Sequence, residues 1–229
     1  MKIRNYFKDL SLFERILWIT SLIVVTLSFL FSNGGWLNLI ASLIGVTALI
    51  FVSKGYVLGQ ILTVVFAVFY GYISFHFRYF GEMLTYMCMT APIAFAAVIS
   101  WARNPYKDTA EVTVSRMTKK QVVIVSLLSI AVTAVFYFVL KAFDTANLII
   151  STVSVTTSFL AVCFTYLRSP FYALAYSAND IVLIILWILA SIENINYIPM
   201  IFCFVMFLAN DMYGFFNWRR IAKRQSDEA

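Results

Sequence analysis

The chain has 229 residues, of which 62% are hydrophobic and only 12% are charged, and its formal net charge is +6. Soluble globular domains contain about 45–50% apolar and about 25% charged residues, so this composition excludes an ordinary soluble domain. The apolar residues occur in blocks of about 20, which is the length of a helix that crosses a bilayer. The sequence therefore predicts a multi-pass membrane protein.

Eight such blocks follow one another, separated by short polar joints. Backbone groups inside hydrocarbon must be hydrogen-bonded within the protein, which favours a helix for each block. We expect an all-α integral membrane protein, a single transmembrane domain formed by residues 1–229. The predicted spans are Arg15–Phe31, Trp36–Val52, Tyr56–Phe75, Met83–Trp101, Gln121–Leu140, Asn147–Leu167, Phe171–Ile192 and Tyr197–Asn217.

Lysine and arginine residues divide unequally between the two sides that these spans define. Arg78 and Lys141 fall on one side, and the other fifteen of the 17 basic residues fall on the side that holds both termini. Cytoplasmic loops of membrane proteins are enriched in lysine and arginine. We therefore expect both termini in the cytoplasm. The positive charge is interpreted as an orientation signal, and no nucleic-acid partner is predicted.

The longest polar joint, residues 102–120, separates two halves that are similar at a shift of 117 residues. Met83, Met89, Trp101 and Arg103 then coincide with Met200, Met206, Trp218 and Arg220. A tryptophan followed by arginine is also typical of a membrane-interface anchor, so this alternative stays open. The repeat predicts a first helix followed by a 3+1+3 arrangement. Two parallel three-helix bundles (36–101 and 147–217) are joined by a linker helix (121–140), as in SWEET-type transporters.

Two Asn-Asp pairs lie within predicted spans: Asn179-Asp180 near the middle of the seventh and Asn210-Asp211 in the eighth. An ionisable residue at membrane depth costs about 2.5–3.5 kcal/mol on insertion scales and usually faces a bundle interior or a substrate path. We predict both pairs as candidate substrate ligands. The alternative is that they form hydrogen bonds between helices.

Aromatic residues accompany the first of these pairs. Tyr172, Tyr176 and Asn179 are spaced by four and then three residues, which places them on one stripe of a helix. Two rings beside an amide suit a flat heterocycle that carries a sugar. Tyr172 also fits the aromatic belt at the membrane surface. Trp187, further along the same span, fits either the belt or a gate.

Hydroxyl groups give three further candidates. Ser154 and Ser158 are four residues apart on the sixth span, and Tyr70 lies on the third. Serine hydroxyls in membrane helices also bond to their own backbone or allow close packing, so helix packing is the alternative for both serines. The sequence contains no phosphate-binding loop and no metal-binding motif. We therefore expect neither an enzyme nor a bound cofactor.

Two sequence motifs stand near the end of the chain, Tyr-Ala-Leu-Ala-Tyr-Ser-Ala-Asn-Asp at 172–180 and Phe-Leu-Ala-Asn-Asp-Met-Tyr-Gly-Phe-Phe-Asn-Trp-Arg at 207–219. They resemble the last two helices of the PnuC family of nicotinamide riboside transporters. Residues 70–74 and 79–83 are similar to the third-helix region of that family. The resemblance implies two parallel three-helix bundles around one vitamin molecule. It also implies facilitated diffusion in a bacterial inner membrane, and a cytosolic kinase that traps the substrate by phosphorylation.

The chain departs from the family at one motif. Many members carry Trp-x-x-Trp-x-x-x-Asn on the penultimate helix, whereas counting back from Asn179 gives Tyr172 and Ala175 at the tryptophan positions. Another nucleoside, or a thiamin- or riboflavin-like vitamin, is therefore the alternative substrate. Outside the transporter class, a membrane enzyme and a membrane assembly or interaction protein remain as alternatives. Membrane lipid is the expected surrounding, and the oligomeric state, including a homo-oligomer, is left open.

Overall fold

The structure is a computed structural model that describes residues 6–31, 35–76 and 80–228. Arg78 and Tyr79, which entered the predictions above, lie outside the described residues. Eight segments in the described part of the chain are long and apolar enough to cross a membrane, which confirms the predicted number of spans. The helices are α1 (Leu12–Phe31), α2 (Trp36–Ser53), α3 (Val57–His76), α4 (Phe80–Leu84), α5 (Ala91–Ala102), α6 (Lys119–Ala142), α7 (Leu148–Tyr166), α8 (Phe171–Glu193) and α9 (Ile198–Asp227).

The fourth span differs from the single regular helix that hydropathy predicts. A π-helical segment, Thr85–Thr90, lies between α4 and α5. Pro92 stands in the first turn of α5 and has no backbone N–H to donate to the preceding turn. The wider turn therefore falls where the regular hydrogen-bond pattern is already interrupted. Segments of this kind re-aim side chains and are frequent at functional sites.

The last span is longer than predicted. The apolar block ends near Asn217, but α9 continues to Asp227 as a charged helix. Hydropathy detects only the part of a helix that lies in hydrocarbon, so it cannot show where an extension into water ends. Gln225 anchors this extension, because its amide accepts from Val114 N (2.8 Å) and donates to Val112 O (3.1 Å).

The helices pack in two sequential groups. In the first half of the chain α3 lies between α2 and α5, and in the second half α8 lies between α7 and α9. The two halves meet mainly where α2 contacts α9 and where α5 contacts α7, and α1 also contacts α9. Helix α6 lies mainly against α7 and exposes large apolar side chains, among them Leu127, Ile130 and Phe138. Such a surface is expected where lipid surrounds the protein.

Residues 103–118 cover one end of the bundle, which we call the loop face. Val112 N donates to Gly55 O at the α2–α3 turn (2.9 Å), and Ser115 N donates to Arg168 O at the α7–α8 turn (3.0 Å). Gly55 has φ +70°, a conformation that glycine adopts without strain. The joint that separates the two halves of the sequence thus ties turns of both halves together.

Helix α1 is joined to the bundle by a buried charge. Glu14 is 2% exposed, accepts a hydrogen bond from Tyr213 Oη of α9 (2.6 Å), and lies 3.3 Å from Lys54 Nζ. Its other carboxylate oxygen accepts from Ser11 N at the start of α1 (2.6 Å). These bonds satisfy the carboxylate and hold α1 against α2 and α9.

Candidate functional site

A small cavity lies between the two halves of the chain, at the depth of the polar residues in α8 and α9. Its volume is about 60 Å³. The lining residues come from α2, α3, the π-helical segment, α7, α8 and α9. They are Gly45, Ala48, Leu49, Val52, Gln60, Thr63, Phe66, Tyr86, Thr90, Ser158, Tyr176, Asn179, Asp180, Phe204, Phe207 and Asp211. Five residues that the sequence singled out, Ser158, Tyr176, Asn179, Asp180 and Asp211, are therefore brought together here.

The amide of Asn179 is oriented by α7. Its Oδ1 accepts hydrogen bonds from Thr157 Oγ1 (2.8 Å) and Ser158 Oγ (3.0 Å). With Oδ1 held in this way, the Nδ2 group is the part of the amide left to donate to a ligand in the cavity. Ser158 thus contributes by positioning Asn179, a role that hydroxyls at helix–helix contacts commonly have.

Asp180 and Asp211 meet across the interface between α8 and α9. Each is 3% exposed, and their carboxyl groups are hydrogen-bonded to each other. Asp180 Oδ2 is buried and accepts no hydrogen bond from an amide or hydroxyl group in the described part of the chain. A buried polar atom of this kind needs an explanation, and a ligand in the adjoining cavity supplies one.

Aromatic rings close the cavity on the side away from the loop face. Phe66 of α3 packs edge to face with Tyr86 (5.9 Å between ring centroids) and with Phe207 (5.7 Å). Gly45 makes room for them, since a Cβ atom there would lie 2.5 Å from Phe207 Cζ and 3.1 Å from Phe66 Cδ2. Flexible phenyl groups therefore limit the size of the cavity.

A second aromatic group closes the loop face. Trp218 contacts both Trp101 (5.3 Å between ring centroids) and Tyr172 (4.8 Å). Both tryptophans are 0% exposed, so the alternative interpretation as membrane-interface anchors is wrong. Tyr172 is also buried, and it lies beside Trp218 rather than in an aromatic belt or in the cavity lining.

The other sequence candidates lie away from the cavity. Asn210 faces α1, donating to Ser21 Oγ (3.0 Å) and to Met206 O (2.7 Å). Trp187 lines a separate cavity of about 260 Å³ at the opposite end of the bundle from the loop face. Tyr70 packs against Tyr86 (4.5 Å between centroids), behind the lining, and Ser154 is buried within α7.

Several lining residues were not selected from the sequence as site residues. Gln60 of α3 and Thr90 of the π-helical segment are polar, whereas Phe66, Phe204 and Phe207 are indistinguishable from ordinary core residues. Of these residues, Gln60 could have been recognised from the sequence, because a polar side chain within an apolar block usually faces the interior of the bundle. In the fold it is 2% exposed. Nothing in an isolated phenylalanine distinguishes a cavity wall from a lipid-facing position.

Comparison with known proteins agrees with this architecture. The sequence model of the nicotinamide mononucleotide transporter family matches residues 35–220. The chain belongs to the nicotinamide mononucleotide transporter family. The match covers α2 to α9, except for the last residues of α9, and therefore includes every residue of the cavity. The predicted resemblance is confirmed.

Two family members named nicotinamide riboside transporter PnuC are similar over almost their whole length. The protein from Neisseria mucosa is 26% identical over 98% of this chain and 88% of its own length. The protein from Haemophilus influenzae is 22% identical over 91% of each chain. A crystal structure of the vitamin B3 transporter PnuC superposes with a TM-score of 0.82 at 25% identity, covering 95% of this chain and 94% of that one. This family member shares the fold with the present chain.

Proposed function

We propose that this protein carries nicotinamide riboside across a bacterial inner membrane by facilitated diffusion. The observation that supports this most directly is the cavity between the two halves of the bundle. It joins an oriented amide, a carboxyl pair and aromatic rings, and it lies within the region matched by the family. The relatives that cover nearly the whole chain carry the name nicotinamide riboside transporter.

Substrate binds between two three-helix bundles, residues 36–101 and 147–217, with α6 as the linker. The contacts of α2 with α9 and of α5 with α7 support this division. In each contact the first helix of one bundle packs against the last helix of the other, as expected for two equivalent bundles. Sites at the interface between repeats are a general feature of transporters built in this way. Asn179 bonds the sugar or the carboxamide, and Tyr176 contributes an aromatic surface.

The cavity must enlarge when substrate binds. Small-molecule sites are usually about 300–1,000 Å³, well above the 60 Å³ of this cavity. Movement of Phe66, Phe204 and Phe207 would open it. These phenyl groups would then act as the outer gate of an alternating-access cycle, and the tryptophan pair at the loop face as the inner gate. Rocking of one bundle against the other, with the loop joining their turns, provides the motion.

The loop face is the cytoplasmic side in this proposal, since it carries most of the lysine and arginine residues. Both termini then lie in the cytoplasm, and a cytosolic kinase traps the delivered substrate by phosphorylation. No catalytic step is assigned to this chain.

A second candidate substrate class is another nucleoside, or a thiamin- or riboflavin-like vitamin. It is favoured by one observation, namely that Tyr172 and Ala175 stand where many family members carry tryptophan. Of these two, Tyr172 is turned toward Trp218 and not into the cavity.

Uptake by purified protein in liposomes tests the proposal. Radiolabelled nicotinamide riboside should enter protein-containing vesicles and not protein-free ones, and unlabelled nicotinamide riboside should compete. For the second candidate class, radiolabelled thiamin, riboflavin and uridine are tested for uptake in the same way. Uptake of one of them without uptake of nicotinamide riboside would replace nicotinamide riboside as the substrate, and absence of uptake of all four would contradict a transport function of this type.

A further inference from the structure

The carboxyl pair in the cavity has an unusual composition for a buried site. Asp180 and Asp211 are both 3% exposed and are hydrogen-bonded through their side chains. A carboxylate only accepts hydrogen bonds, so a bond between two carboxyl groups requires a proton on one of them. Two buried carboxyl groups that share a hydrogen bond hold a proton between them, because two negative charges repel strongly in a low-dielectric site.

The other titratable groups near this pair are uncharged at neutral pH. They are the phenols of Tyr172 and Tyr176 on α8 and of Tyr86 on the π-helical segment, and the thiol of Cys203 on α9. Helix α3 contributes Gln60 and Thr63 as polar lining groups, and the lining residues of α2 are apolar. No lysine, arginine or histidine occurs among the described lining residues. The single negative charge of the pair therefore has no positive partner in the cavity wall.

Burying a charge without a partner is costly, and an ion of opposite sign in the same cavity removes most of that cost. We propose that Asp180 and Asp211 share one proton and act as one negative charge that selects a substrate with a fixed positive charge on its heterocycle. This inference rests on the proposed function and narrows its substrate class. Nicotinamide riboside has such a charge, because the ribose quaternises the pyridine nitrogen.

The aromatic side of the cavity has the same preference. Phe66, Tyr86 and Phe207 present rings next to the carboxyl pair. The face of an aromatic ring attracts a cation, by about 2 kcal/mol or more where water is excluded. A flat cation can thus stack on a ring while its charge is balanced by the aspartate pair. Thiamin, also a permanent cation, fits these requirements better than riboflavin or an ordinary nucleoside, which are neutral.

The test compares two compounds of nearly equal shape that differ in charge. Reduction of the ring converts nicotinamide riboside into dihydronicotinamide riboside, which is neutral. Isothermal titration of the purified full-length protein should give an affinity at least tenfold higher for the cation at pH 7.5. Lowering the pH should weaken binding of the cation, since a second proton on the pair competes with it, whereas the affinity for the neutral form should stay level.

Asparagine variants separate the charge of the pair from its shape. In Asp180→Asn or Asp211→Asn the amide replaces the protonated carboxyl group, so the remaining aspartate retains the negative charge and the preference for the cation. In the double variant Asp180→Asn/Asp211→Asn the charge is lost, and the ratio of the two affinities should fall to about one. Binding of the neutral form by the double variant shows that it is folded.

A double variant that still prefers the cation tenfold would overturn the inference, and so would equal binding of the two compounds by the unaltered protein. The comparison of the two compounds on the unaltered protein remains informative even if the double variant does not fold. If the unaltered protein binds both compounds equally well, this inference fails but the proposed function stands. If it binds neither, the proposed function itself fails.

Discussion

The indole ring of Trp101 at the end of α5 lies 5.3 Å from that of Trp218 in α9, and each indole bonds to the opposite half of the chain. Trp101 Nε1 donates to Thr165 O of α7 (2.9 Å), and Trp218 Nε1 donates to Val52 O of α2 (2.9 Å). The two residues coincide at the predicted shift of 117 residues. Their reciprocal contact closes the loop face.

Because the two indole rings contact each other, substitutions of Trp101 and Trp218 should have non-additive effects on the stability of the protein. Trp101→Phe and Trp218→Phe each leave a buried carbonyl without its donor, at a cost of about 1–3 kcal/mol. Both variants should lower the midpoint of thermal unfolding in detergent. The double variant should be less destabilised than the sum of the single ones, because the ring contact is lost only once. Trp36→Phe is the control, since Trp36 is 73% exposed. Additive effects would show that the rings do not interact.

Asn179→Leu should weaken binding of nicotinamide riboside at least tenfold, because it removes the oriented amide from the cavity. Thr156→Val is a matched control. Thr156 Oγ1 bonds to Thr133 Oγ1 (2.7 Å) between α6 and α7, outside the cavity lining. Both variants lose a hydrogen bond between helices, so both should unfold at a lower temperature, but only Asn179→Leu should lose affinity. If Asn179→Leu bound nicotinamide riboside as tightly as Thr156→Val does, Asn179 would have a role in helix packing alone.

Substitution by alanine should have different effects on folding and binding at Gly45 and at Gly59. In Gly45→Ala the new methyl group meets the far ends of Phe66 and Phe207, which can move, so the protein should fold but bind substrate more weakly or more slowly. In Gly59→Ala the methyl group would lie 2.4 Å from Val52 N, in the backbone of α2. That helix cannot yield without separating from α3, so the yield of folded protein should fall. Unchanged binding by Gly45→Ala would mean that the phenyl groups do not limit the cavity.

Facilitated diffusion of a cation makes a quantitative prediction. With the membrane potential held at zero, uptake into vesicles should stop at equal concentrations on the two sides. A potassium diffusion potential, negative inside, should raise the final ratio about tenfold for each 59 mV, because one positive charge crosses per cycle. Uptake that responds to a pH gradient and ignores the potential would instead indicate exchange of substrate for the proton of the carboxyl pair.

Orientation can be tested with reporter fusions. A fusion at Ala110, in the loop face, should report the cytoplasm, and one at Gly34, between the first two spans, should report the opposite side. The physical reason is the enrichment of lysine and arginine on the cytoplasmic side. The same result from both positions would contradict the eight-span arrangement.

Much of the site was predictable from the depth of polar residues in the membrane alone. Placing Asn179, Asp180 or Asp211 in hydrocarbon costs free energy, so each can be recognised as a candidate within a single helix. The depth of a residue does not, however, specify the direction in which its side chain points. Asn210, next to Asp211, turns to Ser21 of α1 and lies outside the cavity, because adjacent residues on a helix point about 100° apart.

The sequence by itself determined the number of spans and the unequal charge of the two sides. It also determined the depth of the polar residues, since each of these properties depends on local composition and on the 1.5 Å rise of a helix. Only the tertiary structure decided that Asp180 meets Asp211, that Phe66 and Phe207 form a wall over Gly45, and that two tryptophans are buried. These contacts join helices that are distant in sequence. Lipid tails are as apolar as the side chains, so hydrophobicity does not determine which helices pack together, and the sequence gives no signal for these contacts.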